Sequence, residues 1–333
     1  MATRADSPAI RVSMEVEYRP AWLTWVAATT TCLQALGVEG DQADVAGFSG
    51  YAFHLGIHEE VCPSGPTVLD WTRLSRGVHS LGRGTVELRS PCGEGSGRAR
   101  EESCRAALEL VRSEIEGGRP CVLWGTYVPE FGVVVGLEDE SYEVKTFKEV
   151  LHQEQPSIRY DETVTPGGIY ALGFPAAAEY GELQRDLEGV LEALRLWSRP
   201  AYGQYRFGAD GYDAWIEALE SKRAGRFGCG YNAACYAEGR RLAQKFLERM
   251  STRRPLAADL LRQATEAYRE AAEAMGRLGE VFPFGHDEQG PVTAAHKIDE
   301  AVGLLAEARD AESRAMDFLR DVTKIQARTP GDE

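Results

Sequence analysis

Two hydrophobic rhythms run along the chain. In the first half, "AWLTWVAATTTCLQALG" (21–37) is apolar nearly all round and stops at Gly37, which predicts a buried helix. "EESCRAALELVRSEIEGG" (101–118) places Ala107, Leu108, Val111 and Ile115 on one face before a glycine pair, which predicts an amphipathic helix. The period then shortens. "PCVLWGTYV" (120–128), "FGVVVGLED" (131–139), "SYEVKTF" (141–147) and "GIYALGF" (168–174) are short, rich in Val, Tyr and Phe, and separated by turn residues, as expected of an antiparallel meander. "GEGSGRARE" (93–101) reads as a mobile loop and "HQEQPSIRYDETVTPGG" (152–168) as an extended connection.

The second half keeps a 3.6-residue period. Apolar stripes run through Leu183, Leu187, Val190, Leu191 and Leu194, then Tyr212, Trp215, Ile216 and Leu219. They resume at Leu260, Leu261, Ala264, Tyr268, Ala271, Met275 and Leu278, and again at Ile298, Val302, Leu305, Ala308, Met316 and Leu319. Pro and Gly break the pattern in "STRRPLA" (251–257) and "FPFGHDEQGP" (282–291), so this half predicts a helical bundle. The final helix (294–322) has near-heptad spacing, which makes it a candidate seam for a homodimer.

Composition narrows the class. With 333 residues, 43% of them hydrophobic, the chain can bury a large core and is long enough for two domains. Its net charge of −15 is spread over the whole length, which argues against nucleic acid and anionic membranes as partners. No run approaches the roughly 18 apolar residues of a membrane span. The opening "MATRADSPAIRVSMEVEYRP" lacks the basic start and apolar core of a signal peptide, so the expected location is the cytoplasm. Seven cysteines without a CxxC pair read as reduced thiols rather than a disulfide framework or zinc site. Abundant Arg, Glu, Ala and Gly with almost no Asn is what a heat-adapted or GC-rich source produces. The one asparagine, Asn232, sits in "FGCGYNAACYAEGRR" (227–241).

Several places offer chemistry beside a plainer reading. His54, His58 and Cys62 stand four apart in "AFHLGIHEEVC", a spacing that on a helix would suit zinc. Gly56 and Pro63 make a helix there doubtful, and no fourth ligand is evident, so the stretch reads first as structural and no cofactor is expected. Glu130, at the mouth of an apolar strand, is either a surface charge or an acid aimed into a cleft. Thr24 and Trp25 open the first helix, where a nucleophile or anion is favoured but where threonine is also an ordinary N-cap. Tyr212, Asp213 and Trp215 head another helix, as dipole partner and core aromatics or as ligand contacts. Asn232 and Tyr236 share a face with Gly239, Leu242 and Phe246, so the asparagine side chain points inward or to a partner surface, where it must be hydrogen-bonded.

Taken together, "ALGVEGDQADVAGFSGYAF", "IEGGRPCVLWG", "PEFGVVVGLEDE", "GYDAWIEALE" and "GYNAACYAEGRRLAQKFLERM" resemble a bacterial family. Its N-terminal domain is similar to the butirosin-biosynthesis acyltransferase and to papain-like bacteriocin-processing cysteine peptidases, with a helical domain appended. The resemblance implies an α+β fold, with a helix packed on an antiparallel sheet over 1–176 and an all-α bundle over 177–333. It also implies a nucleophilic cysteine opening the first helix, a histidine opening a central strand, and an Asp or Asn on the next strand. Matched by distance to Gly37 and Gly136, those positions fall at Thr24 or Trp25, at Glu130 and near Thr146, so the whole trio is replaced. Cys32 lies too far along the helix to substitute.

The expectation is therefore a small-molecule or peptide-binding protein on a catalytically degenerate papain-like domain, with a helical lid. Trp25, Glu130, Tyr212, Asp213, Trp215, Tyr231, Asn232 and Tyr236 are its candidate contacts. The alternative is an acyl-transferring or amide-cleaving enzyme that uses Glu130, Asp213, Thr24 or a tyrosine in place of a Cys–His pair.

Overall fold

The protein is described by a computed structural model. It covers residues 9–91, 97–155, 157–178, 182–285 and 290–326. In chain order the elements are β1 (Ile10–Arg11), α1 (Thr24–Ala35), α2 (Gln42–Phe48), β2 (Gly56–His58), α3 (Trp71–His79), β3 (Val86–Ser90) and α4 (Arg98–Glu116). They continue with β4 (Cys121–Trp124), β5 (Phe131–Glu138), β6 (Ser141–Lys145), β7 (Ser157–Arg159) and β8 (Ile169–Gly173). The remainder is α5 (Glu182–Trp197), β9 (Tyr205–Phe207), α6 (Gly208–Glu220), α7 (Arg226–Arg253), α8 (Ala258–Val281) and α9 (Ala295–Gln326). No helix among the described residues is long and apolar enough to cross a membrane.

The fold is mixed α and β and divides into two compact units. One is Met1–Val45 with Val78–Tyr180, and the other is Ala46–Gly77 with Gly181–Glu333. The segment 46–77, expected with the first domain, thus belongs to the helical unit. The reason is backbone pairing: β2 forms a two-stranded antiparallel ribbon with β9, in the register Gly56↔Phe207 and His58↔Tyr205.

The first unit holds a seven-stranded antiparallel sheet in the order β3-β8-β4-β5-β6-β7, with β1 as the seventh strand, paired to β5. The expected meander is present, and β8 returns to lie between β3 and β4. Two further strands are present: β7 lies within the stretch expected as an extended connection and β3 precedes the expected loop, and each is an edge strand with a single partner. β5 is paired on one edge by β6 and on the other by β4 along its first half and β1 along its second. Both faces of β5 are buried from Phe131 to Leu137, since α1 and α4 both pack on it, and so its sequence is continuously apolar rather than alternating. On the α4 side, Ala107, Leu108, Val111 and Ile115 meet Cys121, Leu123, Val134, Tyr142 and Val144. The alternate positions Val122, Trp124, Phe131 and Val133 point to the other face. α1 is buried from Thr24 to Leu33 and ends where Gly37 takes φ +73°. The expected loop over 93–101 lies partly outside the described residues, and Arg98 already begins α4.

The second unit is dominated by α7, α8 and α9, with α8 packed on both neighbours and α5 and α6 against α9. The predicted stripe of α8 is buried at Leu261, Ala264, Tyr268, Ala271, Met275 and Leu278. The stripe of α9 is buried at Ile298, Leu305, Ala308, Met316 and Leu319, with Val302 half-buried. The near-heptad spacing that suggested a dimer seam is therefore covered by helices of the same unit.

Candidate functional site

Thr24 and Glu130 meet in the first unit. β4 and β5 are joined by a tight loop in which the Gly125 N–H donates to Glu130 O at 2.9 Å and the Glu130 N–H donates to Val128 O at 2.6 Å. Gly125 takes φ +78°, and a Cβ there would lie 2.2 Å from Val164 O, so glycine is required. The loop delivers the Glu130 carboxylate to the first residue of α1. The Thr24 hydroxyl donates to Glu130 Oε2 at 2.5 Å, and its oxygen accepts the Phe131 N–H at 3.1 Å. This corrects the N-cap reading of Thr24: the N-cap position is Leu23, which makes no side-chain cap, and Thr24 instead ties the helix to the sheet. The partial positive charge of a helix start also favours a carboxylate there.

Exposed aromatics flank the pair along the chain. Trp22, two residues before Thr24, is 39% exposed, and Tyr127, on the β4–β5 loop, is 45% exposed. The Lys148 ammonium lies 3.7 Å from the Tyr127 ring centroid, and Phe147 is 6.0 Å from the same ring. Trp22, Tyr127, Phe147 and Lys148 escaped the sequence reading, although their closeness in sequence to Thr24, Glu130 and Thr146 was a usable signal. Trp25 is fully buried and faces Tyr170, so it belongs to the core rather than to a ligand surface. Thr146 caps the turn Phe147–Glu149 by accepting the Lys148 N–H at 3.2 Å, while its own hydroxyl donates to Gln155 Oε1 at 3.2 Å.

The chemistry of the pair follows from proton affinities. A cysteine and a histidine differ by about 2 pKa units, so a thiolate–imidazolium pair costs only ~3 kcal/mol to form. An alcohol has a pKa of the order of water's, about 15.7, against about 4.3 for glutamate, and the same transfer costs ~15 kcal/mol. Accepting the Phe131 N–H further engages the Thr24 lone pair. The arrangement presents a hydroxyl bonded to a carboxylate, and in its resting state the proton stays on Thr24.

The remaining candidates lie in the second unit, and most are internal. Asn232 has 0% exposure, and its amide donates to Cys62 O at 3.1 Å and Val61 O at 3.5 Å. Val61 is a buried β-branched residue at φ +56°, a conformation that costs energy and must be held by its surroundings. A Cβ at Gly228 would stand 1.7 Å from Val61 O, so the glycine lets α7 approach this turn and Asn232 then clamps it. The Tyr236 hydroxyl donates to Gly56 O at 2.6 Å and accepts the Gly56 N–H at 3.1 Å, fastening β2 to α7. Trp215 is fully buried. The Tyr212 hydroxyl donates to Glu312 Oε2 at 2.7 Å. These four side chains, expected as ligand contacts, are thus fasteners of their own unit. Asp213 is half-exposed and paired with Arg309 at 2.7 Å. Tyr231 stacks on Phe227 at 6.4 Å and meets Phe284 at 5.9 Å.

Glu312 also receives Arg240 Nη2 at 2.8 Å, with both side chains fully buried, while Arg240 Nη1 donates to His54 O at 2.8 Å. Burial opposes the guanidinium charge, but Glu312 outweighs it and raises the Arg240 pKa. Burial, reinforced by Glu312, pushes the Tyr212 and Tyr268 hydroxyls well above the ordinary tyrosine value. Arg240 and Glu312 were missed by the sequence reading, yet spacing marks both: Arg240 follows Asn232 and Tyr236 at four-residue steps, and Glu312 falls in the stripe between Ala308 and Met316.

His54, His58 and Cys62 do not come together as ligands. His54 Nε2 bonds Gly65 O at 3.2 Å, His58 Nε2 bonds Gln204 Oε1 at 3.2 Å, and the Cys62 sulfur accepts the Ser64 hydroxyl at 3.0 Å. Among the described residues no group of three His, Cys, Asp or Glu side chains is arranged to hold a metal ion. Burial drives the His54 pKa down to about 3 and pushes the Cys32, Cys121 and Cys229 thiols up, so none of these is an activated group at neutral pH. No protein-family model matches the chain, and a search of curated proteins finds none similar to it.

Proposed function

We propose that this chain is a small-molecule or peptide-binding protein. Its first unit is read as a papain-like domain whose nucleophile–base pair has become Thr24–Glu130, and its second as a helical bundle. The observation that carries this reading is the Thr24 hydroxyl, which stands between Glu130 and the Phe131 N–H at the two positions where the resemblance puts cysteine and histidine. Glutamate is a weaker base than the imidazole it replaces, so the pair rests as a neutral hydroxyl on a carboxylate, suited to holding a ligand by shape and hydrogen bonding. Trp22 and Tyr127 supply the exposed apolar surface that a ligand with an aromatic or aliphatic body would cover.

The other reading, an acyl transferase or amidohydrolase with Glu130 as base, is separated by one experiment. Hydrolysis of p-nitrophenyl acetate is measured for the native protein, Thr24→Ala and Glu130→Gln. Equal rates at the buffer background support binding without catalysis. A native rate above background that both substitutions abolish establishes the enzyme instead. Native mass spectrometry of the freshly purified chain then shows the mass of any retained ligand.

A further inference from the structure

We propose that residues 54–65, in the second unit, form an acid-released strap, which lies on α7 while His54 is neutral and lets go when His54 takes a proton. The inference does not depend on the reading of Thr24 and Glu130. The strap is gripped by its main chain. At four-residue steps along α7, the Asn232 amide donates to Cys62 O at 3.1 Å, the Tyr236 hydroxyl to Gly56 O at 2.6 Å and Arg240 Nη1 to His54 O at 2.8 Å. Its other attachment is the short β2–β9 ribbon. Between these ties Val61 is held at φ +56°, a strained conformation that an open strap need not keep.

His54 sits where a proton has no place. The residue is 1% exposed, and Gly65 O, which can only accept, lies 3.2 Å from Nε2 and so fixes the ring proton there. Nδ1 is then a lone pair, and it has no hydrogen-bond partner among the described residues. Protonating it creates a buried donor with nothing to receive it. The neighbouring charges oppose it as well. Arg240 grips the carbonyl of His54 itself, and Arg199 lies 4.0 Å over the ring of Phe207, which is 6.0 Å from the His54 ring. Arg195 adds positive charge from α5. The carboxylates of this region are already engaged, Glu312 with Arg240 and Tyr212, and Glu192 with Arg73 and Arg195. The Tyr51 and Tyr236 hydroxyls are spent on Pro66 O and Gly56 O.

Burial first, and the three guanidinium groups after it, lower the His54 pKa to about 3, although Gly65 O raises it. In an open strap the ring returns to about 6.5. From pH 7 to pH 5 the open form therefore takes up a proton that the closed form refuses, and the opening constant rises about 25-fold. α8, by contrast, packs on α7 and α9 and buries an apolar stripe without a charged group, so the bundle outlasts the strap.

The test is hydrogen–deuterium exchange of the full chain at pH 7 and pH 5, with rates corrected for the intrinsic chemistry of exchange. The opening constant of amides in 54–65 should rise about 25-fold and at pH 5 exceed that of α8 amides at least tenfold. His54→Gln, which does not titrate, should abolish the rise. Asn232→Ala serves if His54→Gln does not fold. It removes one tie without touching the titrating ring, so the strap should open at least fivefold more at pH 7 and keep the same rise to pH 5. The proposal is overturned if 54–65 and α8 open alike at pH 5, if the rise persists in His54→Gln, or if Asn232→Ala leaves the strap as closed as in the native chain.

Discussion

Two carboxylates that each accept a hydroxyl divide the molecule's work between them. Glu312 is fully buried and is held by Arg240 and Tyr212. Glu130 is half-exposed and holds Thr24 beside exposed Trp22 and Tyr127. The same chemical group thus serves as a core fastener in one unit and as a surface feature in the other. The difference is set by solvent: without water, a charge must be matched by protein groups, whereas at the surface a mismatch is absorbed.

The largest effect should come from breaking the sealed pair. Glu312→Leu leaves the Arg240 guanidinium buried without its counter-charge, and a loss of about 3–5 kcal/mol is expected in chemical denaturation. Arg240→Met with Glu312→Leu should recover much of it, because the unmatched charge is gone. Equal losses in the single and double variants would mean that Glu312 acts through packing rather than charge.

Next comes acid. His54 is buried and its pKa is depressed to about 3, against about 6.5 in the unfolded chain. Between these values the unfolded state binds more protons, so the stabilisation present above about pH 6.5 is lost progressively as the pH falls toward 3. At pH 5 the loss relative to pH 7 should be about 2 kcal/mol, and His54→Gln should flatten that slope. An unchanged slope in the variant would assign the acid sensitivity to other groups.

Asn232→Ala sharpens the comparison from the interior side. Removing the clamp on the Val61–Cys62 turn should cost about 1–2 kcal/mol, a fall of roughly 2–8 °C in melting temperature for a unit of this size. If Asn232 instead served a ligand, the variant would fold with native stability and lose binding.

How far the sequence foretold all this varies with the kind of signal. β4, β5, β6 and β8 and the long helices were legible because each buries a regular apolar pattern. β3, β7 and the pairing of β2 with β9 were not, since edge strands and short ribbons carry weak patterns and depend on distant partners. Glu130 and Thr24 were legible through strand and helix starts, but their direct bond was not, because it joins residues 106 apart. Asn232 was legible as a buried amide. Its partner was not, because a strained turn at Val61 leaves no mark in an apolar residue's name.

The smallest expected effect is the most informative about function. Thr24→Val removes the hydroxyl while nearly preserving volume, and it leaves Glu130 facing water and the Phe131 N–H without its acceptor. Water can replace the hydroxyl at the half-exposed carboxylate, while the buried Phe131 N–H loses its acceptor, so about 1 kcal/mol, the low end for an unmet buried donor, should be lost in denaturant unfolding. Thr24→Ser, which keeps both hydrogen bonds, should cost less than Thr24→Val. A loss approaching that of Glu312→Leu would make Thr24–Glu130 a second core fastener and remove the contrast on which the binding reading rests. A small loss leaves the pair where the comparison puts it, a buried hydroxyl on a half-exposed carboxylate that contributes little to holding the fold.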